Sequence, residues 1–472
     1  MISVFLPAVE ATIISTAMPS IVADLGGFGL FSWAFGAYLL MQAVTTPIYG
    51  RFADLFGRKR VFFAGASLFL LASIACGFAW GMIPLVVFRA LQGMGAGALQ
   101  SVPVTIIGDI YQPADRARAL GWLSSVWAIA AVTGPMIGGF IVEYLNWEMV
   151  FWVNVPIGIV TMAMLAFFHD EELHPRQHEV DYLGAILLML GVGAPMIVLV
   201  QAQTLEGWTI VSLLVGGAVA LVALVIQERR VGEPIVPFRL WRSKVIALGN
   251  FGSLSLGVIL MSVSAFLPTY VQGVMGYSPT LAGFAVAAQS LSWSVASVLA
   301  GIMMVRTSYR FVGSIGALIL IAGTAMLIAL EPSSGLLWAM CGAFTVGLGM
   351  GFCNTTLVVA VQTSVGWNER GVATSSNLFL RTIGQTLGAA LGGALLNYGI
   401  SQHAPEAVGA VNRLFDPRVR EGLGASGISH LTQAIAGSLH EVYLISGFLA
   451  VLTLVVMLRF PVGLSPTRVA RD

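Results

Sequence analysis

Long apolar runs follow one another along this chain, about fourteen of them, each with roughly the twenty residues a helix needs to cross a bilayer core and each set off by a short polar break. They cover approximately 2–24, 28–49, 61–80, 83–108, 118–145, 149–168, 182–202, 208–227, 245–272, 279–303, 311–330, 336–364, 371–399 and 440–459. In lipid a backbone must satisfy its own N–H and C=O groups, so this pattern predicts an all-α integral membrane protein. Composition agrees: 57% of the 472 residues are hydrophobic and 10% are charged, against about 25% charged in an average soluble domain. Little chain is left to fold outside the bilayer.

Charge supplies the orientation. With the N-terminus in the cytoplasm, the inside loops hold Arg51, Arg58, Lys59 and Arg60, then Arg116 and Arg118, then Arg176. Later inside segments hold Arg229, Arg230, Arg239, Arg242 and Lys244, then Arg306 and Arg310, then Arg370, with Arg459, Arg468 and Arg471 at the end. The short outside loops contain none, and only the long last one has Arg413, Arg418 and Arg420. Both termini are therefore expected in the cytoplasm. A net charge of +1 suggests neither an acidic nor a basic partner, and no basic cluster is built for nucleic acid. Cys76, Cys341 and Cys353 all fall in apolar runs and read as core residues. No cleavable signal precedes the first run, which is expected to serve as an uncleaved anchor.

Two polar segments, "HDEELHPRQHEVDY" (169–182) and "ERRVGEPIVPFRLWRSK" (228–244), bracket a pair of runs and leave six on either side. The plan is a six-helix bundle over 1–168, linkers and two extra helices over 169–244, a second six-helix bundle over 245–460, and a cytoplasmic tail over 461–472. Paired halves of this kind commonly surround a midplane site in transporters. Residues 401–439 form the longest outside loop; its end, "ISHLTQAIAGSLHEV", is either an amphipathic surface helix or solvated chain. The six histidines lie in loops or at a helix border, so no metal site or cofactor is expected. An intramembrane enzyme would need convergent catalytic side chains that the runs do not show, and the two-half plan disfavours a channel or scaffold.

Of the 22 acidic residues only Glu10, in "LPAVEATIISTAMPSIV" (6–22), lies well inside a run. An ionised group at that depth costs at least about 2.5 kcal/mol on insertion scales and usually has a function. Desolvation favours a neutral carboxyl and a nearby cation favours an ionised one. A carboxyl that faces each side in turn can thus take a proton on one and release it on the other. Arg89 is the obvious deep cation, and Arg89, Gln92, Ala96 and Gln100 form a stripe expected to face the cavity. Two readings of Glu10 stand, a proton carrier and a static ion pair with Arg89.

For a substrate site, Phe35, Tyr38 and Gln42 share one helical face, as do Gln289 with Trp293, and Asn377, Arg381 and Gln385. Gln92, the lone deep amide Asn354 and the deep aromatic Trp127 join them as candidates. An apolar cavity with few polar groups suits lipophilic ligands, and aromatic faces attract organic cations. Each Trp or Phe taken singly is more often a lipid-facing or core residue. Arg381 is a second deep cation with no local acid, which opposes a purely cation-selective pocket unless a backbone carbonyl or Glu10 satisfies it; whether Arg89 or Arg381 pairs with Glu10 stays open at this point.

The loop "GRFADLFGRKR" (50–60) joins the second and third runs. Gly50 permits close packing at a helix end, and Asp54 can accept from a helix N-terminus or pair with Arg58. Asp54, Arg58 and Asp109 share one membrane level and form either a charge lock or a solvated cluster. "TGPMIGG" (133–139) sets Pro135 among Gly134, Gly138 and Gly139, a kink or a moving seal. Glycine clusters at 93–98, 134–139, 347–351 and 384–393 allow close helix approach, as packing seams or as sliding surfaces.

The spacing Gly50-x-x-x-Asp54-x-x-Gly57-Arg58-Lys59 resembles the signature loop of the major facilitator superfamily. "VEATIISTAMP" (9–19), "FRALQGMGAGA" (88–98), "TGPMIGG", "NVPIG" (154–158), "YVQGVMGYSPTLAG" (270–283) and "RTIGQTLGAALGG" (381–393) are similar, in order, to motifs of its fourteen-helix drug:proton antiporter branch. Departures are Glu10 where the branch usually has aspartate, Glu148 where it often has arginine, and "VRTSYR" (305–310), a degenerate echo of the signature loop. The resemblance implies the superfamily fold, two six-helix bundles plus two extra transmembrane helices. It also implies export of bulky amphipathic compounds from the plasma membrane in exchange for protons, by a monomer working through alternating access. Glu10 and Arg89 would then serve proton coupling, and Gly50, Asp54, Gly57, Arg58, Asp109, Gly134, Pro135, Gly138 and Gly139 gating. The alternative on the same fold is a dedicated exporter of a lipid, siderophore or metabolite, for which Arg381 could hold an anionic group.

Overall fold

Apolar runs without water to bond their amides should close into helices, and they do. The computed structural model describes residues 2–110, 113–168, 181–202, 204–231, 235, 238–366, 369–403, 414 and 424–461, without some side chains near helix ends. Among these residues there are helices and turns and no strand. Contacts divide the chain into two units, Met1–Ile235 and Val236–Asp472.

The first unit contains α1 (Ile2–Leu25), α2 (Phe31–Phe56), α3 (Arg58–Gly77), α4 (Met82–Ile110), α5 (Pro113–Tyr144), the short α6 (Met149–Trp152) running into α7 (Asn154–Phe168), α8 (Tyr182–Gln201) and α9 (Gly207–Glu228). In it α2 and α3 pack on α4, α1 packs on α5, α8 rests on α2, and α9 rests on α8. The two extra helices thus belong by contact to this unit. Asp181 ties them together: it caps α8 by accepting from the Gly184 amide at 2.8 Å and accepts from Gln227 of α9 at 3.0 Å.

The second unit contains α10 (Lys244–Thr269), which continues through one π-helical turn (Tyr270–Val274), then α11 (Pro279–Arg306), α12 (Tyr309–Ile328), α13 (Gly335–Thr363), α14 (Arg370–His403) and α15 (Gly424–Leu458). Here α11 and α12 pack on α13, and α10 packs on α14. The same three partnerships recur, so the two units are repeats of one plan.

Glycines set the register of the repeat. Gly93 and Gly97 of α4 press on the α2 backbone at Tyr38 and at Thr45–Thr46, while Gly95 between them presses on α3 at Phe69. In the second unit Gly347 and Gly351 of α13 press on α11 at Gln289 and at Trp293–Ser297, while Gly349 presses on α12 at Leu320. Gly134 and Gly138 of α5 meet the carbonyls of Val9 and Ile13, and Gly384 and Gly388 of α14 meet those of Leu254 and Val258. In this register Ser255 stands at the position of Glu10, Ala343 at that of Arg89, Val346 at that of Gln92, and Asn354 at that of Gln100.

Thirteen helices among the described residues are long and apolar enough to cross a membrane, in line with the expected plan. The run at 371–399 forms a 34-residue helix, α14, long enough to cross but loaded with Asn377, Arg381, Thr382, Gln385 and Thr386. Residues 424–439, at the end of the stretch expected as the longest outside loop and open there between a surface helix and solvated chain, are helical and continue into the membrane span as α15, and His430 and His440 lie in that helix. The reason is a buried stripe, Leu431, Ala434, Ile435, Ser438, Leu439 and Val442, that continues the packing face of the membrane span toward its start. Cys341 is exposed on α13 rather than in the core. Lipid accepts an apolar side chain as readily as protein does, so an apolar run does not say which of its faces is covered. Residues 169–180 and 462–472, which include most of the first linker and the tail, lie outside the described residues.

Candidate functional site

The first unit buries an ion pair at its centre. Glu10 of α1 is 0% exposed and Arg89 of α4 is 1% exposed. Arg89 Nη1 donates to Glu10 Oε1. The other carboxylate oxygen accepts from Asn154 Nδ2 of α7 at 2.5 Å. Around this core Arg89 Nη1 also donates to Gln92 at 2.7 Å, and Arg89 Nε donates to the Ala34 carbonyl of α2 at 3.0 Å. Ser73 of α3 accepts from both Gln92 and Asn154 at 3.1 Å. The Tyr38 ring lies 4.3 Å from the guanidinium carbon, a cation–π contact. Five helices converge on one carboxylate and one guanidinium, and both carboxylate oxygens already have donors.

Fully desolvated pairs survive only when their remaining hydrogen-bonding capacity is filled, because each ion leaves water at a cost of several kcal/mol. Here neutral groups complete the set. Loss of the Glu10 charge would leave Arg89 with the Ala34 carbonyl, Gln92 and the Tyr38 face. The arrangement can therefore accommodate a neutral carboxyl without leaving the cation bare.

α1 is held from the other side by α5. A side chain at Gly138 would come within 2.6 Å of the Ile13 carbonyl, and one at Gly134 would collide with Thr12 beside the Val9 carbonyl. The Thr12 hydroxyl also reaches the Ala130 carbonyl of α5 at 3.4 Å. Pro135 and Gly139 are buried in the same helix. The glycines of "TGPMIGG" thus form a flat seam directly behind the helix that carries Glu10.

In the signature loop Gly57 joins α2 to α3 with φ 95°, a region open to glycine and strained for other residues. Arg58 Nη1 donates to the Ala53 carbonyl at the end of α2, and Lys59 Nζ donates to the Ala166 carbonyl near the end of α7. The basic residues thus serve as C-terminal caps. Gly50 departs from expectation: nothing lies within 4 Å of where its Cβ would be, so no close packing needs it in this conformer. The Asp54 and Asp109 side chains lie outside the described residues.

The other candidates fall into separate groups. Gln42 of α2 donates to Gln100 of α4 at 3.0 Å. Phe35 is buried against Phe31, and Trp127 packs on Val4 and Ile107. Tyr38 and Gln92, expected in a substrate cavity, instead surround the ion pair and are 1% and 0% exposed. In the second unit Gln289 accepts from Ser264 at 3.2 Å, and Trp293 offers its carbonyl to Ser297 at 2.9 Å. Asn377 of α14 joins α10 through Ser253 and the Gly249 carbonyl at 2.9 and 3.0 Å, next to an Asn250–Ser376 bond of 3.2 Å. Arg381 donates to Asn354 of α13 at 3.1 Å. Gln385 is half-buried one turn beyond it.

Sequence reasoning missed Asn154, Ser73, Asn250 and Ser253. Asn154 had a usable signal, being the lone amide within the apolar run 149–168; the serines had none, because serine is common in membrane helices.

Residues 1–389 match the model of the Major Facilitator Superfamily. The chain is 30% identical over 476 residues to Multidrug resistance protein 3 of Bacillus subtilis (strain 168), covering 97% of this chain and 93% of that one. It is 32% identical over 399 residues to Multidrug transporter protein MdtP of the same organism, covering 84% and 74%. Among solved structures, a bacterial homologue of the human lysosomal transporter Spinster, inward-facing and occupied, aligns with a TM-score of 0.66 at 17% identity over 99% of this chain and 95% of that one. A D-xylose-proton symporter aligns with a TM-score of 0.65 at 13% identity over 98% and 96%. At such identities the structural likeness is one of fold.

Proposed function

Since the chain belongs to the major facilitator superfamily, we propose that it exports lipophilic or amphipathic drug-like molecules across the plasma membrane by alternating access, in exchange for protons, with both termini in the cytoplasm. The names of two relatives, a multidrug resistance protein and a multidrug transporter, support efflux and this substrate class. The segregation of Arg and Lys to one set of loops supports the orientation.

The observation that carries proton coupling is the two-sided hold on Glu10. One oxygen is held from α4 by Arg89 and the other from α7 by Asn154. A proton on either oxygen removes the charge that strengthens the bonds from Arg89 and Asn154, so protonation favours displacement of α1 against α4 or α7. The glycine seam on α5 gives α1 a smooth surface to move on, and the other partners of Arg89 hold the cation while Glu10 is neutral. Proton uptake, helix displacement and cavity exposure are then one event. The repeat concentrates this chemistry in the first unit, since Ser255 and Ala343 occupy the matching positions of the second.

Reconstitution into proteoliposomes tests the reading. A pH gradient, acidic on the side from which protons enter, should drive a lipophilic dye or drug up its own gradient. Collapse of the proton gradient with an ionophore should end accumulation. Accumulation indifferent to both would refute proton exchange, and absence of transport for lipophilic cations, neutral drugs and lipophilic anions alike would refute the substrate class.

A further inference from the structure

The second unit carries a cation that its own helices leave without an acid. We infer that Arg381, with Gln385 and Asn354 beside it, is the docking point for an oxyanion, a carboxylate or phosphate, on an amphipathic substrate. The inference rests on the proposed export function and narrows its substrate class.

Arg381 uses one nitrogen, Nη1, on Asn354 Oδ1 at 3.1 Å. Its Nε is buried with no acceptor, and among the described residues nothing accepts from Nη2. The free Nε/Nη2 edge is one of the two edges with which a guanidinium grips an oxyanion through paired hydrogen bonds. The residue as a whole is half-buried, as are Asn354 and Gln385, and the Gln385 amide makes no side-chain hydrogen bond among the described residues. The site offers donors in excess of acceptors.

No described acid of this unit is near enough to supply the missing charge. Glu369 precedes α14, is paired with Arg239 at 2.7 Å, and lies about 18 Å from Arg381 along the helix axis. Glu331 precedes α13, whose first residue, Gly335, already lies about 28 Å along the helix from Asn354. Glu441 is exposed on α15, three residues past Ser438, which meets α14 at Gly399, about 27 Å beyond Arg381. In the first unit both Glu10 oxygens are engaged by Arg89 and Asn154.

The repeat shows that the fold does not need this cation. The register of the α5 and α14 glycines places Ala131 at the position of Arg381 and Pro135 at that of Gln385. Gln100, the counterpart of Asn354, bonds the amide of Gln42, whose own counterpart is Trp293. With no amide opposite, Asn354 turns to Arg381. The second unit has exchanged a neutral amide pair for a cation with an open edge, while the first unit keeps its cation fully neutralised. An intramembrane charge left open in this way marks a site whose partner arrives from outside the protein.

The full chain in phosphatidylcholine proteoliposomes, given a lipophilic carboxylate dye and its methyl ester, provides the test. Wild type should prefer the acid in KM by about tenfold or more, the worth of a charge-assisted bond lost with the ester. Arg381→Gln should bring the acid-to-ester ratio close to one, and Arg381→Lys, which keeps the charge without the fork, should leave a reduced preference. Dye anisotropy in detergent reads the same ratio as binding alone. A ratio as large in Arg381→Gln as in wild type overturns the inference; if that variant does not fold, an undiminished ratio in Arg381→Lys does so. Replacing part of the lipid with phosphatidylglycerol separates the two sources of oxyanion. Competition that weakens acid binding in wild type but not in the variants assigns the site to a lipid headgroup, whereas insensitivity assigns it to the substrate. Export of the ester with no preference for the acid sinks the inference alone, and failure to export either compound sinks the transport reading.

Discussion

Glu10→Gln keeps the length of the side chain and removes its ability to exchange a proton, so it isolates the coupling step. The variant should fold. The carbonyl oxygen of the new amide can still accept from Arg89, while its nitrogen would face the Asn154 donor, a conflict that Asn154 can relieve by turning its own amide and accepting. Arg89 keeps the Ala34 carbonyl at 3.0 Å, Gln92 at 2.7 Å and the Tyr38 ring. The loss of stability should therefore fall near the low end of the about 3–5 kcal/mol typical when one member of a buried pair is removed. The functional effect is larger. One proton crossing about 100 mV releases about 2.3 kcal/mol, and one pH unit adds about 1.4. Together they sustain a gradient of about five hundredfold for a neutral substrate at one-to-one exchange. In Glu10→Gln that gradient should collapse to one, because substrate can still cross but nothing drives it. Proteoliposomes measure both quantities, accumulation under an imposed gradient and exchange of labelled against unlabelled substrate at equilibrium. Accumulation lost with exchange retained is the expected pair, and accumulation retained would refute Glu10 as the proton carrier.

Three further outcomes follow from the packing and the charges. Gly138→Val should abolish transport without preventing membrane insertion, since its side chain would meet the Ile13 carbonyl and Thr16 in the seam behind Glu10; transport within twofold of wild type would show that the seam does not move. Gly50→Ala should leave the thermal midpoint unchanged or raise it, because the site is open and alanine gains up to about 1 kcal/mol over glycine within a helix; a clear fall would show close packing there. If the Arg381 site takes an oxyanion, one-to-one exchange of a monoanion for a proton moves two charges, and its limiting gradient should change about two-thousandfold per 100 mV, against about fiftyfold for the neutral ester. Equal voltage slopes for the two dyes would refute that charge count.

Much of the fold was legible because lipid demands length and apolarity of every spanning segment, and the ends of the runs agree with the helix ends to within a few residues at most positions. It failed where that demand is silent. The first half of α15 carries Ser429, His430, Thr432 and Gln433, which leaves a surface helix and solvated chain equally open, and it is helical along a stripe of small and aliphatic side chains. Cys341 faces outward because hydropathy does not distinguish lipid from protein. At the site, charge against an apolar background singled out Glu10 and Arg89, whereas Ser73, which helps complete their hydrogen bonds, is a residue type too common to stand out, and Asn154 stood out only as a lone amide. Tyr38 and Gln92 were visible as polar faces, but a face read from one helix does not say which neighbour it meets.

The repeat register adds what neither charge nor hydropathy carries. Its signal is a few glycines in alternation, Gly93, Gly95 and Gly97 against Gly347, Gly349 and Gly351, each set pressing alternately on two neighbouring helices. Once aligned, the two units are seen to have kept their seams and diverged in chemistry. Backbone packing constrains each seam glycine, because a Cβ there would collide with a neighbouring helix. Position 10 and its counterpart at 255 are held by no such collision and are free to differ. A carboxylate can therefore stand in one unit and a serine in the other at no cost to the packing, and a cation can stand at 381 where the first unit has alanine. If the first unit handles the proton and the second the oxyanion, as proposed, the two roles should be separable by mutation. Combining Glu10→Gln with Arg381→Gln should show the two losses independently, with accumulation set by the first substitution and acid preference by the second. A double variant whose acid preference depended on residue 10 would show instead that the two charges form one site.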